Sequence, residues 1–560
     1  MRKNIPVTAF WLAMALASAA RLPASAQVVQ AQKTQAYESI LAAAYPAVEP
    51  GAAALVARNG EVVFRGSSGM ADLELGVPLK PDMVFEIGSI TKQFTAAGIM
   101  MLAEEGKLSL DDPITKFLPD YPSYGDDISV EHLLTHTSGI VSYTGIPGYM
   151  ATEVRKDVTV AELTDVFEDR PVEFQPGERW AYNNSGYILL GAIIESASGM
   201  TYAEFVQERI FDPLGMKSSY YGSSSRIIPG RVSGYDGGDG GLTKAAFLSF
   251  TQPYAAGALM MTVDDMYRWN QALYGAELIS KLSLKRMTTP YVLNNGEETS
   301  YGYGLMSRDV RGRHAVGHGG GIFGFVTDAV YLPEEDVFVV VFCNTTASEI
   351  DPSFVATKLA AIAIGDPFPD WKEIALDEEI LERFVGIYKI DEGAQRVVTV
   401  EDGKLYTQRS GGARLRAFPA SETQFFYKGS LSYFEFVVEG DEVTGMLMHQ
   451  GGATDTEEAV KVSDEPPVRE AIDLDAAIYD DYVGVYELQP GFDLTVTREG
   501  DNLMLQATGQ GAVRIFPESE TEFFIVEIDV QITFVRSTAG AVDELILHQG
   551  GQDMPAKRKK

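Results

Sequence analysis

The chain has 560 residues, a formal net charge of −34, 45% hydrophobic residues and 22% charged residues. This composition indicates a globular protein with enough residues for more than one hydrophobic core. The strong negative charge argues against binding to nucleic acid or to anionic membrane surfaces. The single cysteine, Cys343, excludes an intrachain disulfide, and its place in the apolar stretch FVVVFCNTT predicts a packing role.

The first 26 residues predict a secretory signal. Arg2 and Lys3 precede the apolar run FWLAMALASAA, and the small residues ASA at 24–26 form a typical cleavage pattern. The alternative is a membrane anchor, but the apolar run is short and Arg21 follows it. We therefore expect cleavage after Ala26, and a periplasmic or secreted mature protein without a membrane span.

Residues 27–370 are predicted to form one domain that mixes helices and strands. The stretch AALVARNGEVVFRG predicts a hairpin with Asn59 and Gly60 at its turn. The stretch PSFVATKLAAIAIG predicts a helix with Pro352 in its first turn and Gly365 after its end. Strands at both ends with helices between them indicate an α/β (α+β) domain, whose terminal strands share an antiparallel sheet flanked by helices.

The stretch FEIGSITKQF, at 85–94, places Lys92 three residues after Ser89, at the start of an apolar helix pattern that Gly106 ends. Residues three apart in a helix share a face. Burial, or opposition to the positive helix N-terminus, would lower the pKa of the lysine toward a neutral amine. A neutral amine beside a hydroxyl activates it as a nucleophile. The alternative is a surface lysine after an ordinary serine, because this spacing is common by chance.

Two further stretches carry polar side chains at suggestive positions. In WAYNNSGYILLG, Tyr182 and Asn184 lie two residues apart before a helix pattern, so both can face one cleft. The alternative is an ordinary loop before a helix. In AVGHGGGIFGF, His318 precedes three glycines that would let a ligand approach the backbone and leave N–H groups for an oxyanion. The alternative there is a glycine turn before a strand.

The three stretches follow one another along the chain as Ser-x-x-Lys, Tyr-x-Asn and a basic residue-x-Gly. This order of motifs resembles that of the serine β-lactamase and penicillin-binding protein superfamily. The stretches EHLLTHTSGI, FQPGERWAYNNSGYILLG, DPLGMKSS and AAGALMMTVDDMYRW resemble landmarks of its class C β-lactamase-like branch. That branch includes esterases, D-aminopeptidases and low-molecular-weight penicillin-binding proteins. The resemblance covers residues 35–365 and implies a β-lactamase-like catalytic domain.

The resemblance implies a serine hydrolase that works through an acyl-enzyme, with no metal and no organic cofactor. Lys92 and His318 are expected to hold Tyr182 near its anionic form, by opposite charge or hydrogen bonding. The implied site is Ser89 as nucleophile, Lys92 as its activating partner, Tyr182 as general acid and base, His318 in place of the usual lysine, Asn184, Gly320 and Gly321 as substrate-binding residues, and the N–H groups of Ser89 and Gly321 as oxyanion hole.

His318 departs from the family pattern. Typical β-lactamases and D-alanyl carboxypeptidases carry a lysine there, whose charge helps to bind the substrate carboxylate. An imidazole with a pKa of ~6.5 is mostly neutral at pH 7 and titrates between about pH 6 and 8. This favours amide bonds of small peptides or aminoacyl amides. A carboxylesterase is an alternative that a neutral histidine also favours. β-Lactamase or penicillin-binding activity is a further alternative, because Arg311 and Arg313 are close in sequence and could supply the charge. A non-catalytic sensor of wall peptides is the competing class.

Two other polar stretches are interpreted as structural. His132 and His136 are four residues apart, a spacing that suits zinc on a helix, but no glutamate follows His132. The resemblance makes both histidines structural. The stretch YDGGDGG at 235–241 lacks the spacing of a calcium loop. It predicts a flexible loop that could cover the cleft.

After a linker at 366–371 the chain repeats itself. RFVGIY at 383–388 matches DYVGVY at 481–486, and FPASETQFF matches FPESETEFF. A repeat of roughly 100 residues is far longer than a solenoid unit, so it indicates a duplicated domain. Its short alternating strands predict two small antiparallel β-barrels, at 371–465 and 473–560. Two lipocalin-like barrels after a catalytic domain resemble bacterial D-aminopeptidases. They are expected to restrict the cleft or to join copies of the chain.

Overall fold

A computed structural model describes residues 24–238, 241–453, 455–466, 471–489, 492–536, 540–549 and 552–559. The predicted secretory signal lies outside the described residues, except for its last three. None of the helices in these ranges is both long enough and apolar enough to cross a lipid bilayer.

An antiparallel sheet forms the centre of the first domain. Its six strands among the described residues lie side by side in the order Met306–Val310, Arg313–Ile322, Phe325–Leu332, Val337–Cys343, Ala52–Arg58 and Glu61–Ser68. The first and last strands of the domain pair from Ala52 opposite Cys343 to Arg58 opposite Val337, which confirms that the two ends share one sheet. The strands are β1 (Ala52–Arg58), β2 (Glu61–Ser68), β3 (Met70–Asp72), β4 (Val77–Pro78), β5 (Phe85–Glu86), β6 (Tyr220–Tyr221), β7 (Tyr235–Gly238), β8 (Gly241–Lys244), β9 (Leu259–Met261), β10 (Met306–Val310), β11 (Arg313–Ile322), β12 (Phe325–Leu332) and β13 (Val337–Cys343).

The β1–β2 hairpin turns at Asn59 and Gly60, as predicted. Both residues have positive φ angles, of 52° and 75°. A two-residue turn of type I′ needs this conformation, and an Asn-Gly pair adopts it with little strain.

Helices cover both faces of the central sheet. Side chains of β1 alternate between two cores: Ala53 and Leu55 face one, and Ala54 and Val56 face the other. The helices are α1 (Ala24–Ala44), α2 (Thr91–Glu104), α3 (Val130–Leu134), α4 (Tyr149–Thr152), α5 (Val160–Asp165), α6 (Asn184–Ser198), α7 (Tyr202–Val206), α8 (Tyr254–Gly257), α9 (Val263–Tyr274), α10 (Lys281–Thr288) and α11 (Pro352–Ile364). Helices α2, α6 and α9 belong to the first core, and α1 and α11 belong to the second.

The last helix of the domain has the predicted ends. The Asp351 carboxylate accepts a hydrogen bond from the Ser353 N–H at 2.8 Å, and Pro352 occupies the first turn. Gly365 ends the helix with a φ of 89°, a left-handed conformation that glycine adopts without a side-chain clash. Cys343 is fully buried against α11 in the second core, and burial raises its pKa to about 12. Its predicted packing role is confirmed.

Each repeat forms a closed antiparallel barrel, and the described residues make eight strands in each. The two predicted barrels are thereby confirmed. Helix α12 (Glu378–Glu382) precedes the first barrel. Its strands are β14 (Gly386–Lys389), β15 (Gln395–Glu401), β16 (Lys404–Arg409), β17 (Arg414–Pro419), β18 (Gln424–Phe426), β19 (Tyr433–Glu439), β20 (Glu442–His449) and β21 (Glu457–Ser463); the second barrel has β22 (Gly484–Gln489), β23 (Phe492–Glu499), β24 (Asn502–Ala507), β25 (Val513–Pro517), β26 (Glu522–Ile525), β27 (Val530–Arg536), β28 (Val542–Gln549) and β29 (Gln552–Arg558).

Equivalent aromatic side chains form the cores of the two barrels. Phe384 stacks on Phe436 in the first barrel, with ring centroids 4.1 Å apart. Tyr482 stacks on Phe534 in the second, at 4.3 Å. All four rings are buried. Each barrel therefore has its own hydrophobic core, which agrees with a duplicated folding unit.

Hydrogen bonds connect the first domain with the first barrel and the two barrels with each other. The Arg311 guanidinium donates hydrogen bonds to the Gly452 carbonyl of the first barrel at 2.8 Å and to the Asp366 carboxylate at 2.9 Å. Between the barrels, the Arg414 N–H donates to the Glu527 carbonyl at 2.9 Å. Arg311 thus serves the junction between the first domain and the first barrel.

Candidate active site

The turn that carries Ser89 is packed directly against strand β11. Ser89 lies in a short 3-10 turn, Gly88–Ile90, just before α2. A Cβ atom on Gly320 would lie 2.1 Å from the Ile87 carbonyl oxygen, and a Cβ on Gly88 would lie 3.0 Å from the Gly321 backbone nitrogen. Two backbones can approach this closely only where side chains are absent. The glycines of β11 therefore set the distance between the turn and the strand.

Lys92 lies in the first turn of α2 and is fully buried. Its Nζ lies 3.1 Å from Ser89 Oγ, 2.8 Å from Asn184 Oδ1 and 2.9 Å from the Ala256 carbonyl oxygen. Burial lowers the pKa of Lys92 well below its usual value, because the charged amine loses its hydration. The predicted shift toward a neutral amine is confirmed.

The partners of the neutral amine determine the direction of its lone pair. A neutral amine has two N–H groups, and the oxygens of Asn184 and Ala256 can only accept. In the neutral form of Lys92, both N–H groups would be used by these two oxygens, and the lone pair would be left for the Ser89 hydroxyl proton. This arrangement is the one that a serine nucleophile requires, because the hydroxyl reacts only when a base takes its proton.

Tyr182 lies beside this pair, in the extended segment before α6. The Lys92 Nζ is 4.9 Å from the centre of its ring. Although 36% of the residue is exposed, burial of the hydroxyl region raises its pKa, and a hydrogen bond with the Ser89 side chain lowers it by less. The expectation that Lys92 and His318 hold Tyr182 near its anionic form is therefore wrong. Desolvation thus disfavours the charged forms of both groups, the phenolate of Tyr182 and the ammonium of Lys92.

Asn184 connects the base to a second polar group. The preceding residue, Asn183, begins α6 by accepting the Gly186 N–H at 2.9 Å, which fixes the start of the helix. The Asn184 side chain accepts from Lys92 through Oδ1 and donates through Nδ2 to Thr144 Oγ1 at 3.0 Å. Asn184 therefore orients the amine of Lys92 as well as facing the cleft.

His318, on β11, is only 3% exposed. Its Nδ1 lies 2.5 Å from the Gly319 carbonyl oxygen, and its Nε2 lies 2.9 Å from the Tyr301 hydroxyl. Because a carbonyl can only accept, Nδ1 carries the proton and Nε2 accepts from Tyr301. Burial, with a smaller effect of Lys92, lowers the pKa of His318 to about 3. The expectation that His318 titrates between pH 6 and 8 is therefore wrong, and its partner is Tyr301.

The depressed pKa of His318 predicts a pH effect on stability. Below about pH 6.5 the unfolded imidazole binds a proton that the folded one does not, so stability falls as the pH decreases. Between pH 7 and 5, the wild type is expected to lose about 2 kcal/mol more unfolding free energy than His318→Gln. Denaturant unfolding at both pH values measures the difference. His314→Gln, which changes an exposed histidine of the same strand, should behave as the wild type. Equal losses in the wild type and His318→Gln would contradict the assignment.

A cleft with a volume of about 380 Å³ opens in front of Ser89. Asn184 and Gly321 line it together with Ser89, and one side is apolar. Of the described residues that line it, only Asp236 carries a formal charge. The other lining residues are Tyr143, Thr144, Met150, Val154, Leu248, Gln252, Pro253, Ala256, Gly257, Ile322, Phe323, Phe325, Val326 and Thr346.

The two arginines considered as a source of positive charge lie elsewhere. Arg311 and Arg313 both pair with Asp366, at 2.9 Å and 3.3 Å, and Arg313 also pairs with Glu335 at 3.1 Å. Arg313 begins β11, whereas Gly321 lies at the other end of that strand. The possibility that these arginines supply charge to the site is not supported, because their guanidinium groups are used at the junction with the first barrel.

The histidines at 132 and 136 serve different structural purposes. His132 closes a capping box at the start of α3, accepting the Ser129 N–H at 3.2 Å. His136 packs against Tyr182 with the two rings tilted and their centroids 4.4 Å apart, and its Nδ1 accepts the Asn183 N–H at 3.1 Å. His136 therefore supports the segment that carries Tyr182. Across the described part of the chain, no group of three or more histidine, cysteine or acidic side chains is arranged to hold a metal ion.

Comparison with known proteins assigns the first domain. The sequence profile of the Beta-lactamase family matches residues 41–363, more than half of the chain. The chain belongs to the Beta-lactamase family. A profile for a domain of unknown function, DUF3471, matches residues 468–558, which include the second barrel.

Relatives in the Beta-lactamase family extend the comparison. Penicillin-binding protein 4* of Bacillus subtilis is 32% identical over 434 residues, which are 73% of this chain and 94% of that protein. The D-aminopeptidase of Gluconobacter oxydans is 28% identical, over 63% of this chain and 67% of that enzyme. The octameric penicillin-binding protein homologue from Pyrococcus abyssi superposes with a TM-score of 0.52 and 28% identity, over 78% and 99% of the two chains. The predicted resemblance and fold class are confirmed.

The fold brings most, but not all, of the predicted residues of this Beta-lactamase-family site together. Ser89, Lys92, Tyr182 and Asn184 form one contiguous group. Gly321 lines the cleft, while the space beside Gly320 is filled by Ile87 and Thr327. His318 adjoins the group but is bonded to Tyr301.

Sequence reasoning missed Tyr301, Thr144 and the position of Asp236, because none of them belongs to a motif with fixed spacing. The stretch YDGGDGG offered the only sequence signal for Asp236. Its described residues form a paired hairpin, β7–β8, rather than an irregular loop. Residues 239 and 240 lie outside the described ranges.

Proposed function

We propose that the protein is an exported serine hydrolase that cleaves amide bonds of small peptides or aminoacyl amides through an acyl-enzyme on Ser89. The observation that carries the proposal is the buried amine of Lys92, whose pKa is lowered well below its usual value by burial. Its Nζ lies 3.1 Å from Ser89 Oγ, and Asn184 Oδ1 and the Ala256 carbonyl oxygen lie 2.8 Å and 2.9 Å from the same nitrogen. Export is supported by the signal pattern before Gln27.

The proposed acylation step uses three side chains. Ser89 Oγ attacks the substrate carbonyl carbon while its proton passes to Lys92 Nζ. The Tyr182 hydroxyl gives its proton to the leaving nitrogen and takes one from Lys92, so that the C–N bond breaks and a neutral amine departs. Water then attacks the acyl-enzyme, and the same groups return their protons in the reverse order. The N–H groups of Ser89 and Gly321 would stabilise each oxyanion, each by about 3 kcal/mol.

The electrostatics of the cleft support amide substrates that lack a carboxylate near the cleaved bond. His318 is neutral because its pKa is lowered to about 3, and no lysine or arginine is among the described residues that line the cleft. A β-lactam or a C-terminal carboxylate would therefore meet no cation among the described lining residues. A hydrogen bond from a neutral donor is weaker than one from a cation by about 1 kcal/mol or more. The related D-aminopeptidase of Gluconobacter oxydans also supports amide hydrolysis.

One panel of substrates tests this function. D- and L-aminoacyl p-nitroanilides, short p-nitrophenyl esters and nitrocefin are compared on the wild type and on Ser89→Ala. We expect the best anilide to exceed nitrocefin by about tenfold to a hundredfold in kcat/KM. Ser89→Ala is expected to remove all turnover, and a fluorophosphonate probe is expected to label Ser89, as mass spectrometry of the peptides would show.

Other outcomes would identify the alternatives. Esters as the sole substrates would indicate a carboxylesterase, and nitrocefin as the best substrate would indicate a β-lactamase or penicillin-binding protein. Rapid labelling of Ser89 without turnover of any substrate would indicate the sensor of wall peptides. Turnover that survives in Ser89→Ala would remove the proposal.

We also propose that copies of the chain associate through the barrels. The homologue from Pyrococcus abyssi is octameric, and it aligns with 78% of this chain. That share is larger than the part of the chain matched by the Beta-lactamase profile. A role of the barrels in restricting the cleft is compatible with such an assembly.

A further inference from the structure

Asp236 lines the cleft, and one of its carboxylate oxygens accepts two hydrogen bonds. The Gly324 N–H donates to Oδ1 at 3.0 Å, and the Thr346 hydroxyl donates to the same oxygen at 2.6 Å. Gly324 belongs to the turn between β11 and β12, three residues after Gly321. The carboxylate is thus fixed just beyond the strand on which the substrate would lie.

The second oxygen of Asp236 has no hydrogen-bond partner among the residues that the structure describes. Within the described residues, Oδ2 accepts no hydrogen bond, and no lysine, arginine or histidine forms an ion pair with the carboxylate. Asp236 is half-buried, and apolar side chains such as Ile322 and Phe323 line the same cleft. A partly desolvated carboxylate without a cation is costly, and a cation that reaches it is bound correspondingly well.

We infer that Asp236 binds a primary ammonium group carried by the acyl half of the substrate. The acyl carbonyl lies at Ser89 during the reaction, so the acyl group extends along the cleft whose single described charge is this carboxylate. The ammonium donates to Oδ2, while Oδ1 stays bonded to Gly324 and Thr346. The inference rests on the proposed function and adds the class of acyl group: amino acids with a free amine instead of acylated or uncharged ones.

The hydrogen bonds around Oδ1 allow a substitution that isolates the charge. Asparagine at 236 keeps an acceptor oxygen for Gly324 and Thr346 and removes the negative charge. Asp309 offers a matched control, because its carboxylate likewise accepts a glycine N–H in a hairpin turn of the same sheet, that of Gly312 at 2.8 Å. Asp309 lies near the end of β10, beside the β10–β11 turn and at the end of β11 away from Gly321. Asp309→Asn therefore removes the same charge far from the cleft.

The test compares substrates that differ only in the amine. Alanyl, β-alanyl and 4-aminobutyryl p-nitroanilides are each paired with the N-acetyl counterpart, and kcat/KM is measured at one ionic strength. The three chain lengths place the ammonium at different distances from the carbonyl. For the best amine, we expect Asp236→Asn to lower the ratio of amine to acetyl rates by about tenfold. Asp236→Glu should keep more of this ratio, and Asp309→Asn should leave it unchanged.

The outcomes separate this inference from the proposed function. If no anilide is hydrolysed by the wild type, the proposed function fails and the inference fails with it. If anilides are hydrolysed and Asp236→Asn leaves every ratio unchanged, the function stands and the inference is wrong. An equal fall of amine and acetyl rates in Asp236→Asn would show that Asp236 only supports the β11–β12 turn, which would also overturn the inference. Thermal unfolding of each variant accompanies the rates.

Discussion

Replacement of Lys92 with methionine is expected to lower kcat/KM for amide hydrolysis by about 10³-fold to 10⁴-fold. Methionine has a similar length and no basic nitrogen, so the Ser89 proton has no acceptor at 3.1 Å. A positioned general base contributes about 10²-fold to 10⁴-fold, and a base that acts together with its nucleophile lies at the upper end. Steady-state rates on the best p-nitroanilide, with thermal unfolding of the same samples, measure the effect.

A second lysine serves as the control for this prediction. Lys358, on α11, is partly buried outside the cleft, and burial lowers its pKa as well. Lys358→Met should therefore leave kcat/KM unchanged. In the wild type, the rate should fall once the pH drops below the lowered pKa of Lys92, because the protonated amine has no lone pair for Ser89. A Lys92→Met variant that retains more than a tenth of the wild-type rate would exclude Lys92 as the base.

Replacement of Gly320 with alanine is expected to lower kcat/KM by about 10²-fold or more and to destabilise the first domain by about 1–3 kcal/mol. The added Cβ would lie 2.1 Å from the Ile87 carbonyl oxygen and 2.3 Å from Thr327 Oγ1. Strand β11 must then move away from the turn that holds Ser89. The proposed oxyanion donors at Ser89 and Gly321 would no longer converge. Chemical denaturation and single-turnover acylation measure the two effects.

The neighbouring glycine provides the comparison. A Cβ on Gly319 would lie 3.5 Å from the nearest atom, the Thr327 carbonyl oxygen, which is ordinary van der Waals contact. Gly319→Ala should therefore change stability by a few tenths of a kcal/mol at most and leave acylation close to wild type. Similar losses in both variants would mean that backbone entropy at the glycines matters more than the close approach of β11 to the turn.

Features set by local sequence were predicted well. Ser89 and Lys92 are one turn apart, and Asn59 and Gly60 form a two-residue hairpin, so their geometry follows from neighbours in the chain. The repeat of the barrels was predictable for another reason. Aromatic residues recur at equivalent positions of the two copies, for example Phe436 in the first and Phe534 in the second, because each copy must fill the same interior.

The properties that were predicted wrongly depend on residues distant in sequence. The pKa of Tyr182 and that of His318 follow from burial, which the folded domain creates and no motif reports. Tyr301 has no characteristic spacing from His318, although it bonds to it. Asp236 is held at the cleft by hydrogen bonds from Gly324 and Thr346, which are 88 and 110 residues away. Motifs thus predicted which groups meet and that the pKa of Lys92 is lowered, but not the pKa values of Tyr182 and His318.

The buried thiol in strand β13 gives the protein a practical advantage for spectroscopy. Cys343 is the single cysteine of the sequence, and its thiol is inaccessible and resists ionisation because its pKa is raised to about 12. Maleimides and methanethiosulfonates react with thiolates, so the native chain should give almost no background labelling. One cysteine introduced on each barrel would then carry a fluorophore or spin-label pair, and distances between the two barrels could be followed in solution during turnover.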